Sequence, residues 1–440
     1  MGMSYAEASA LDTPATSMAT PRVYAWLVFA LTFGLLLSDY MSRQVLNAVF
    51  PLLKAEWGLS DTQLGSLSGI VALLVGVLTF PLSVMADRWG RVRSILLMAM
   101  LWSAATLACG IATNYGEMLA ARFFVGLGEA AYGSVGIALI ISIFPPYLRS
   151  TLTGAFMAGG AFGSVIGMAL GGVFAAHFGW RSAFVVMALF GMVLVVTYAF
   201  TVNERRLRGS DDAACALRRS RPGFRLSFRN LFSGLFSSTS VICAYVGSGL
   251  QLFIMAAVIA WMPSYLNRYY AMTPDKAGVT AAMFVLIGAI GMVICGVLTD
   301  RASRRSPPRK LAMAIAYCLT TALVLGIAFQ LKPGVAQLAV IGMGMFLVAG
   351  TSGPAGAMVA NLTPTPIHAT AFATLTLANN LLGLAPGPLL TGVLADHVGL
   401  MDAFKFVPLM ALLAALAFCI GRHHYAQDIA RVEAQALAGA

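Results

Sequence analysis

Twelve apolar runs constrain the fold of this chain more than any other feature. A helix needs about 20 apolar residues to cross a bilayer core, and breaking the sequence at charges and Pro/Gly clusters yields twelve runs of roughly this length. The runs are 23–53, 63–86, 94–112, 117–143, 151–176, 181–201, 237–265, 275–299, 310–331, 336–361, 370–395 and 401–421. The sequence therefore predicts an all-α integral membrane protein with twelve transmembrane helices.

The charge distribution supports this fold class and predicts a topology. Only 10% of the residues are charged, against about 25% in soluble domains. With both termini on one side, 20 of the 28 basic residues fall on that side and six on the other. Since cytoplasmic loops are enriched in Lys and Arg, we expect both termini in the cytoplasm and the chain in the inner membrane. The net charge of +11 thus indicates topology and not binding to nucleic acid.

The longest polar stretch divides the chain into two halves of six runs each. We expect a disordered cytoplasmic tail at 1–22, an N-terminal six-helix bundle at 23–201, a cytoplasmic linker at 202–236, a C-terminal six-helix bundle at 237–421 and a cytoplasmic tail at 422–440. The segments 172–184 and 392–404 share seven of thirteen residues at an offset of 220. Such repeats place a substrate path at their interface, so we expect pseudo-symmetric bundles around a central cavity.

Four ionisable residues lie well inside the apolar runs, and all four are in the first half. Charged groups within a membrane are costly and mark function by default. Asp39 and Arg43 are four residues apart and share a helix face, which Asn47 continues. Arg122 and Glu129 share a face of the fourth run. We expect these four charges to meet in one cluster near mid-depth, and a purely structural salt-bridge network is the alternative interpretation.

The cluster suggests a mechanism of coupled transport. A carboxyl group beside an arginine can exchange partners when it is protonated, so we expect Glu129 to carry a proton, with Asp39 as the second candidate. Arg43 and Arg122 are predicted to hold an anionic substrate group in bidentate geometry. Other side chains are candidates for the wall of the path. They are Asn47, Tyr132, Gln251, Trp261, Tyr265, Asn379 and Asn380.

The segment between the second and third runs carries a specific motif. It reads Ala-Asp-Arg-Trp-Gly-Arg-Val-Arg from 86 to 93 and resembles the cytoplasmic loop motif of the major facilitator superfamily. The resemblance implies two six-helix bundles and a conformational latch. An aspartate can bind a helix N-terminus, and arginines can bind carboxylates or lipid phosphate. The latch residues are Asp87, Arg88 and Arg91, with Asp300 and Arg301 as the second copy.

The fourth run resembles that of spinster-like transporters, a branch of this superfamily. It reads Arg-Phe-Phe-Val-Gly-Leu-Gly-Glu-Ala from 122 to 130 and matches the Arg-x6-Glu-Ala pattern of the branch. Relatives usually carry adjacent Asp-Arg in helix one, whereas Ser42 precedes Arg43 here and the acid lies one turn earlier, at Asp39. The resemblance implies a secondary transporter, and amphiphilic lipids are substrates of some relatives.

The absence of ATP-binding and catalytic motifs in the sequence favours a transporter driven by an ion gradient, not an enzyme. We expect a small organic anion, a carboxylate or sugar acid, to move by alternating access with a proton. A lysolipid transporter is the alternative, and a channel or receptor is an alternative of another class. We expect no cofactor and no metal. The expected partners are the small-molecule substrate, the proton and membrane lipids, and we expect a monomer.

Overall fold

The computed structural model describes residues 22–204, 238–303, 309–363 and 368–438. Within these ranges, twelve helices are long and apolar enough to cross a membrane, and we number them α1 to α12. The first six are α1 (Arg22–Trp57), α2 (Asp61–Trp89), α3 (Arg91–Ile111), α4 (Tyr115–Glu129 and Tyr132–Ile143), α5 (Pro146–Phe178) and α6 (Trp180–Thr201). The other six are α7 (Thr239–Tyr270), α8 (Pro274–Ser303), α9 (Arg309–Ala328), α10 (Val335–Val348 and Ser352–Leu362), α11 (His368–Asn379 and Pro386–Val398) and α12 (Leu400–Phe406 and Leu409–Ala438).

All twelve predicted runs coincide with these helices, so the predicted fold class is confirmed. The largest difference is at α12, which continues past its predicted end at 421 to Ala438. Its Asp428 carboxylate accepts hydrogen bonds from Ser238 Oγ and Ser240 N, at 2.8 and 3.0 Å, and thereby caps the start of α7. The predicted tail at 1–22 and the predicted linker at 202–236 lie almost entirely outside the described residues.

Three of the helices are interrupted in the middle. α4 breaks after Glu129, and α10 contains a 3₁₀ turn at Ala349–Thr351. α11 contains a π turn at Asn380–Leu384, directly before the Pro386-Gly387-Pro388 segment. Proline supplies no backbone N–H and disturbs the preceding turn, and π turns occur frequently at functional sites. The irregular turn in α11 lies beside the cavity described below.

Two seams join the halves of the molecule, one between α5 and α8 and one between α2 and α11. In the first seam, a Cβ atom on Gly172 would lie 2.5 Å from Pro274 O, and one on Gly278 would lie 2.8 Å from Met168 O. Any side chain at these positions would clash with the backbone of the facing helix. Glycine is therefore what allows α5 and α8 to touch.

The second seam repeats the first, residue for residue. A Cβ atom on Gly65 of α2 would lie 2.5 Å from Pro388 O, and one on Gly392 of α11 would clash with Asp61 O. Each of these residues corresponds to one in the first seam, at an offset of 220 between α5 and α11 and 213 between α2 and α8. The two seams are therefore related by the internal pseudo-symmetry.

The same symmetry relates α1 to α7. A Cβ atom on Gly163 of α5 would lie 2.5 Å from Leu37 O of α1, and one on Gly383 of α11 would lie 2.5 Å from Gly249 O of α7. Leu37 and Gly249 are 212 residues apart. Each residue in the middle of α1 therefore has a structural counterpart in α7, 212 residues later. This correspondence allows the two walls of the cavity to be compared position by position.

Candidate functional site

A cavity between the two halves consists of two adjoining compartments. The wide compartment, of about 760 Å³, extends from the middle of α1 to the end of the molecule where Asp87 lies, which we call the Asp87 end. The deep compartment, of about 350 Å³, lies further towards the opposite end, which we call the Asp61 end. Arg43 and Tyr40 line both compartments and so stand where the two meet.

Two carboxyl groups hold Arg43 at this junction. Its Nε lies 3.3 Å from Asp39 Oδ1, to which it donates a hydrogen bond, and 2.7 Å from Glu129 Oε2. The contact with Glu129 is an ion pair without hydrogen-bond alignment. The side chains of Arg43, Asp39 and Glu129 are 19%, 3% and 0% exposed. The guanidinium group is thus the most accessible member of this triad, which we call the α1–α4 triad.

Close helix packing brings Glu129 to α1. A Cβ atom on Gly126 would lie 3.0 Å from Val71 Cα of α2, and one on Gly128 would lie 3.0 Å from Met98 O of α3. Without side chains at these two positions, α4 sits tightly against α2 and α3. Glu129, at the end of the first segment of α4, can then reach the Arg43 side chain on α1.

Arg122 is separate from the triad. Its Nε donates to Leu67 O at 3.3 Å and its Nη1 to Ser42 O at 3.1 Å, so it bridges the backbones of α2 and α1. The structure shows no ion pair within 4 Å between Arg122 and Glu129. Of the four charges predicted to meet, it brings together three. Arg122 does not reach Glu129 because a separation of seven helical residues spans about 10 Å along the axis. Its side chain binds the nearer backbone carbonyl groups instead. It still lines the deep compartment.

The first half supplies a polar wall to the deep compartment. Asn47, a predicted binding residue, lines it and is fixed by two neighbours. Its Nδ2 donates to Gln44 Oε1 at 2.7 Å, and its Oδ1 accepts from Ser68 Oγ at 3.2 Å. Together with Arg43 and Arg122, these side chains offer donors and acceptors in positions set by the helices.

The predicted binding residues of the second half divide into two groups. Asn379 and Asn380 line the wide compartment, and the Oδ1 atoms of both are without a hydrogen-bond partner among the residues described. Gln251 is buried outside both compartments, as is Trp261, whose Nε1 donates to Pro388 O at 2.9 Å. Tyr265 is also buried outside them, and donates to Gln337 Oε1 at 3.2 Å. Gln251, Trp261 and Tyr265 were predicted to line the path, but they pack between helices in this conformation.

Tyr132 is likewise absent from the cavity wall of the described structure. It is fully buried, and its hydroxyl group donates to Thr32 O at 2.6 Å. Its ring meets that of Trp102 edge to face, with the centroids 4.9 Å apart. Its position between α1 and α3 is that of a packing residue.

The predicted latch residues lie at the Asp87 end. Asp87 and Arg88 are exposed, and Asp87 lines the mouth of the wide compartment. Within the described ranges, Asp87 makes no ion pair. Arg91 Nη1 donates to Ala138 O at 3.3 Å, at the end of α4.

The second copy of the latch is arranged differently. Asp300 Oδ1 lies 3.5 Å from Lys310 Nζ at the start of α9, and Arg301 is exposed. The contact between Asp300 and Lys310 stays within the second half. The two copies therefore do not bind each other across the open mouth of the cavity in the part of the chain that the structure describes.

The Asp61 end is closed by charged contacts between the halves. Arg268 of α7 binds both carboxylate oxygens of Asp61 on α2, at 2.6 and 2.8 Å, and Lys54 Nζ lies 2.5 Å from the same carboxylate. On the other side of Asp61, Asp396 of α11 accepts hydrogen bonds from the backbone N–H groups of Asp61 and Thr62, at 2.7 and 2.8 Å. We call Lys54, Asp61, Arg268 and Asp396 the charged gate.

Sequence reasoning missed this gate. It treated Lys54 and Arg268 only as topology charges. A signal was present in the repeats: Asp61 and Asp396 have the uncharged counterparts Pro274 and Ala176, at offsets of 213 and 220. A charge found in only one copy of a repeat marks a position where the two seams differ in chemistry.

The fold and the site together define a polytopic membrane transporter with a cavity that reaches one end of the molecule. Residues 32–385 match the family model described as Major Facilitator Superfamily. The chain belongs to this superfamily, as its loop motif predicted, and is a transporter and not an enzyme.

Individual relatives agree with this assignment. The chain is 27% identical to the gallate transporter of Pseudomonas putida over 425 residues, which cover 91% of this chain and 92% of that protein. It is 22% identical to the hexuronate transporter of Bacillus subtilis (strain 168) over 385 residues, covering 86% and 90%. A bacterial homologue of the human lysosomal transporter spinster, in an inward-facing and unoccupied conformation, shares the fold with a TM-score of 0.80. That comparison covers 93% of this chain and 99% of the homologue, at 18% identity.

Proposed function

We propose that this protein moves a small organic anion across the inner membrane by proton-coupled alternating access. The observation that carries the proposal is the position of Arg43, which lies between two buried carboxyl groups at the junction of the two compartments. A cation there attracts an anionic substrate, and the carboxyl groups compete for the same cation. Both relatives compared above are named for organic acids, gallate and hexuronate.

A charge count supports coupling to a proton. When both carboxyl groups are ionised, Asp39 and Glu129 balance the positive charges of Arg43 and Arg122. One proton on Glu129 leaves the site with a single net positive charge and frees Arg43 from its 2.7 Å partner. Attraction between charges is strong where water is excluded, so the protonated site favours a monoanion. One proton and one anion then travel together.

The basic residues support an orientation for this mechanism. We place both termini and the Asp87 end in the cytoplasm, because 20 of the 28 basic residues lie on that side. The structure is then open to the cytoplasm and closed by the charged gate on the outer side. The bundles at 23–201 and 237–421 would rock as units, joined by the linker at 202–236, in a monomer.

The predicted latch takes its place in the same cycle. We propose that Asp87, Arg88 and Arg91, with Asp300 and Arg301, close the cytoplasmic end when the charged gate is broken. Asp87, Arg88, Asp300 and Arg301 are exposed, and Asp87 lines the mouth of the wide compartment, which is what a disengaged latch would show. Each end is held by contacts that exist only in one state, and such contacts set the balance between two conformations.

Reconstituted vesicles test the proposal. The purified protein is placed in proteoliposomes with a pH gradient, alkaline inside, and uptake of labelled gallate, benzoate and glucuronate is measured. At least one anion is expected to accumulate against its gradient, and the accumulation should collapse when a protonophore removes the pH difference. Anion currents in single-channel recordings, without saturable uptake, would show that the protein is a channel.

A further inference from the structure

We infer that the transported anion has one charged end and an apolar body about the size of a single ring. This inference rests on the proposed transport of an organic anion and names its substrate class. It comes from comparing the two walls of the deep compartment. The internal symmetry gives the two walls equivalent backbone positions, but the side chains on one wall are polar and those on the other are apolar.

The contrast is clearest between α1 and α7. Four pairs of residues that are 212 positions apart line the deep compartment from opposite sides. The pairs are Tyr40 and Leu252, Arg43 and Met255, Gln44 and Ala256, and Asn47 and Ile259. In every pair the α1 side chain carries a polar group and the α7 side chain is apolar. The backbone around the deep compartment is therefore pseudo-symmetric, but one wall is polar and the other is apolar.

Other helices extend the same contrast. Ser164 of α5 lines the deep compartment, and its counterpart in α11, 220 residues later, is Leu384. α8 contributes Val285, Ala289 and Met292. Among the residues described, no polar side chain of the second half lines this compartment. The apolar wall thus spans three helices and is not a single hydrophobic position.

The two walls select between classes of organic acid. A carboxylate can bind to Arg43 or Arg122 on the polar wall. A sugar acid also carries hydroxyl groups around its body, and those facing the apolar wall would lose water without gaining a hydrogen bond, which is costly. A benzoate-like ring presents an apolar face and loses nothing there. The volume of the deep compartment, about 350 Å³, is at the lower end for ligand pockets, so a body that packs against this apolar wall has room for about one ring.

Binding to the purified protein tests this inference. Isothermal titration calorimetry at one fixed pH compares benzoate with glucuronate, which share the carboxylate and differ in the body. We expect benzoate to bind at least about tenfold more tightly, since each buried hydroxyl group without a partner costs roughly that factor. The variant Ile259→Asn copies the α1 residue Asn47 into the opposite wall. It is expected to reduce the benzoate preference several-fold.

A matched control distinguishes an effect of the apolar wall from a general effect of placing asparagine in α7. Ile242→Asn makes the same change on α7 at a residue that lines neither compartment, and the preference should stay at the wild-type value. Equal or tighter binding of glucuronate by the wild-type protein would overturn the inference and leave organic-anion transport intact. Tighter binding of a lysophospholipid would overturn the ring-sized body. If no carboxylate binds and none accumulates in vesicles, the proposed function itself fails.

Discussion

Arg268 of α7 holds both carboxylate oxygens of Asp61 on α2, at 2.6 and 2.8 Å, and this bidentate ion pair joins the two halves of the transporter. Lys54 contacts the same carboxylate, and Asp396 caps the start of the helix that carries it. Closure of this end thus depends on charge as well as on backbone packing. Its strength can be changed without altering the substrate cavity.

Breaking this ion pair is expected to open the Asp61 end. In a cysteine-free background, Ala256→Cys places a thiol in the deep compartment, and a membrane-impermeant reagent is added outside intact cells. Arg268→Gln should increase the labelling rate about 5-fold or more, since a charge-assisted hydrogen-bonded pair contributes roughly 1–3 kcal/mol. Arg181→Gln is the control, because Arg181 pairs with Glu56 at 2.8 Å within the first half. Equal labelling in both variants would show that the ion pair does not hold this end closed.

Removing the Glu129 charge should uncouple transport from the pH gradient. Glu129→Gln imitates the protonated carboxyl group at nearly the same volume, so Arg43 stays available for an anion. We expect uptake driven by a pH gradient to be lost and substrate counterflow to continue, both measured in proteoliposomes. Glu117→Gln changes an exposed acid on the same helix and should leave both activities unchanged. Accumulation that survives in Glu129→Gln would transfer the coupling role to Asp39.

Stability measurements can distinguish the roles of the two cavity arginines. Arg43→Met leaves Asp39 and Glu129 buried without a cation, which costs about 3–5 kcal/mol for a broken buried pair. Adding Glu129→Gln should restore part of the melting temperature in detergent. Arg122→Met should also destabilise, because two backbone carbonyl groups lose their donor, but Glu129→Gln should not rescue it. Rescue of both arginine variants would indicate a four-charge network.

The latch hypothesis predicts a defect in turnover and not in affinity. Asp87 is exposed in the conformation that is open at the Asp87 end. Asp87→Asn should therefore leave this conformation intact and destabilise the conformation in which the Asp87 end is closed. We expect transport turnover to fall about tenfold or more while the substrate Kd changes little. Asp300→Asn is the paired comparison and should have a milder effect, since Asp300 contacts Lys310 within its own half. Wild-type turnover in Asp87→Asn would exclude the latch role.

The sequence was sufficient for features that depend on spacing along one helix. The twelve helices follow from apolar length, and the contact of Asp39 with Arg43 follows from their four-residue separation. The direction of a side chain around its helix axis is another matter, because neighbouring helices determine it. Trp261 and Tyr265 therefore looked like wall residues in an apolar run, but in the structure they lie between helices.

The charged gate shows a second limit of sequence reasoning. Asp61 and Arg268 are 207 residues apart, and both lie at helix ends where charges are common. Only the packing of α2 against α11, and of α11 against α7, shows that the two meet. Arg122 illustrates the same limit at shorter range, since carbonyl groups of α1 and α2 compete with Glu129 for its guanidinium group.

Two kinds of position in this duplicated fold differ in how freely their residues can be substituted. At Gly172 and Gly392 the helix backbones touch, and any side chain there would displace a whole helix. At Arg43 and Met255 the side chains project into open space, and there the two copies have already diverged. A chain of this construction can acquire a new cargo by exchanging a few side chains in one half. The rocking movement set by the seams would be inherited unchanged.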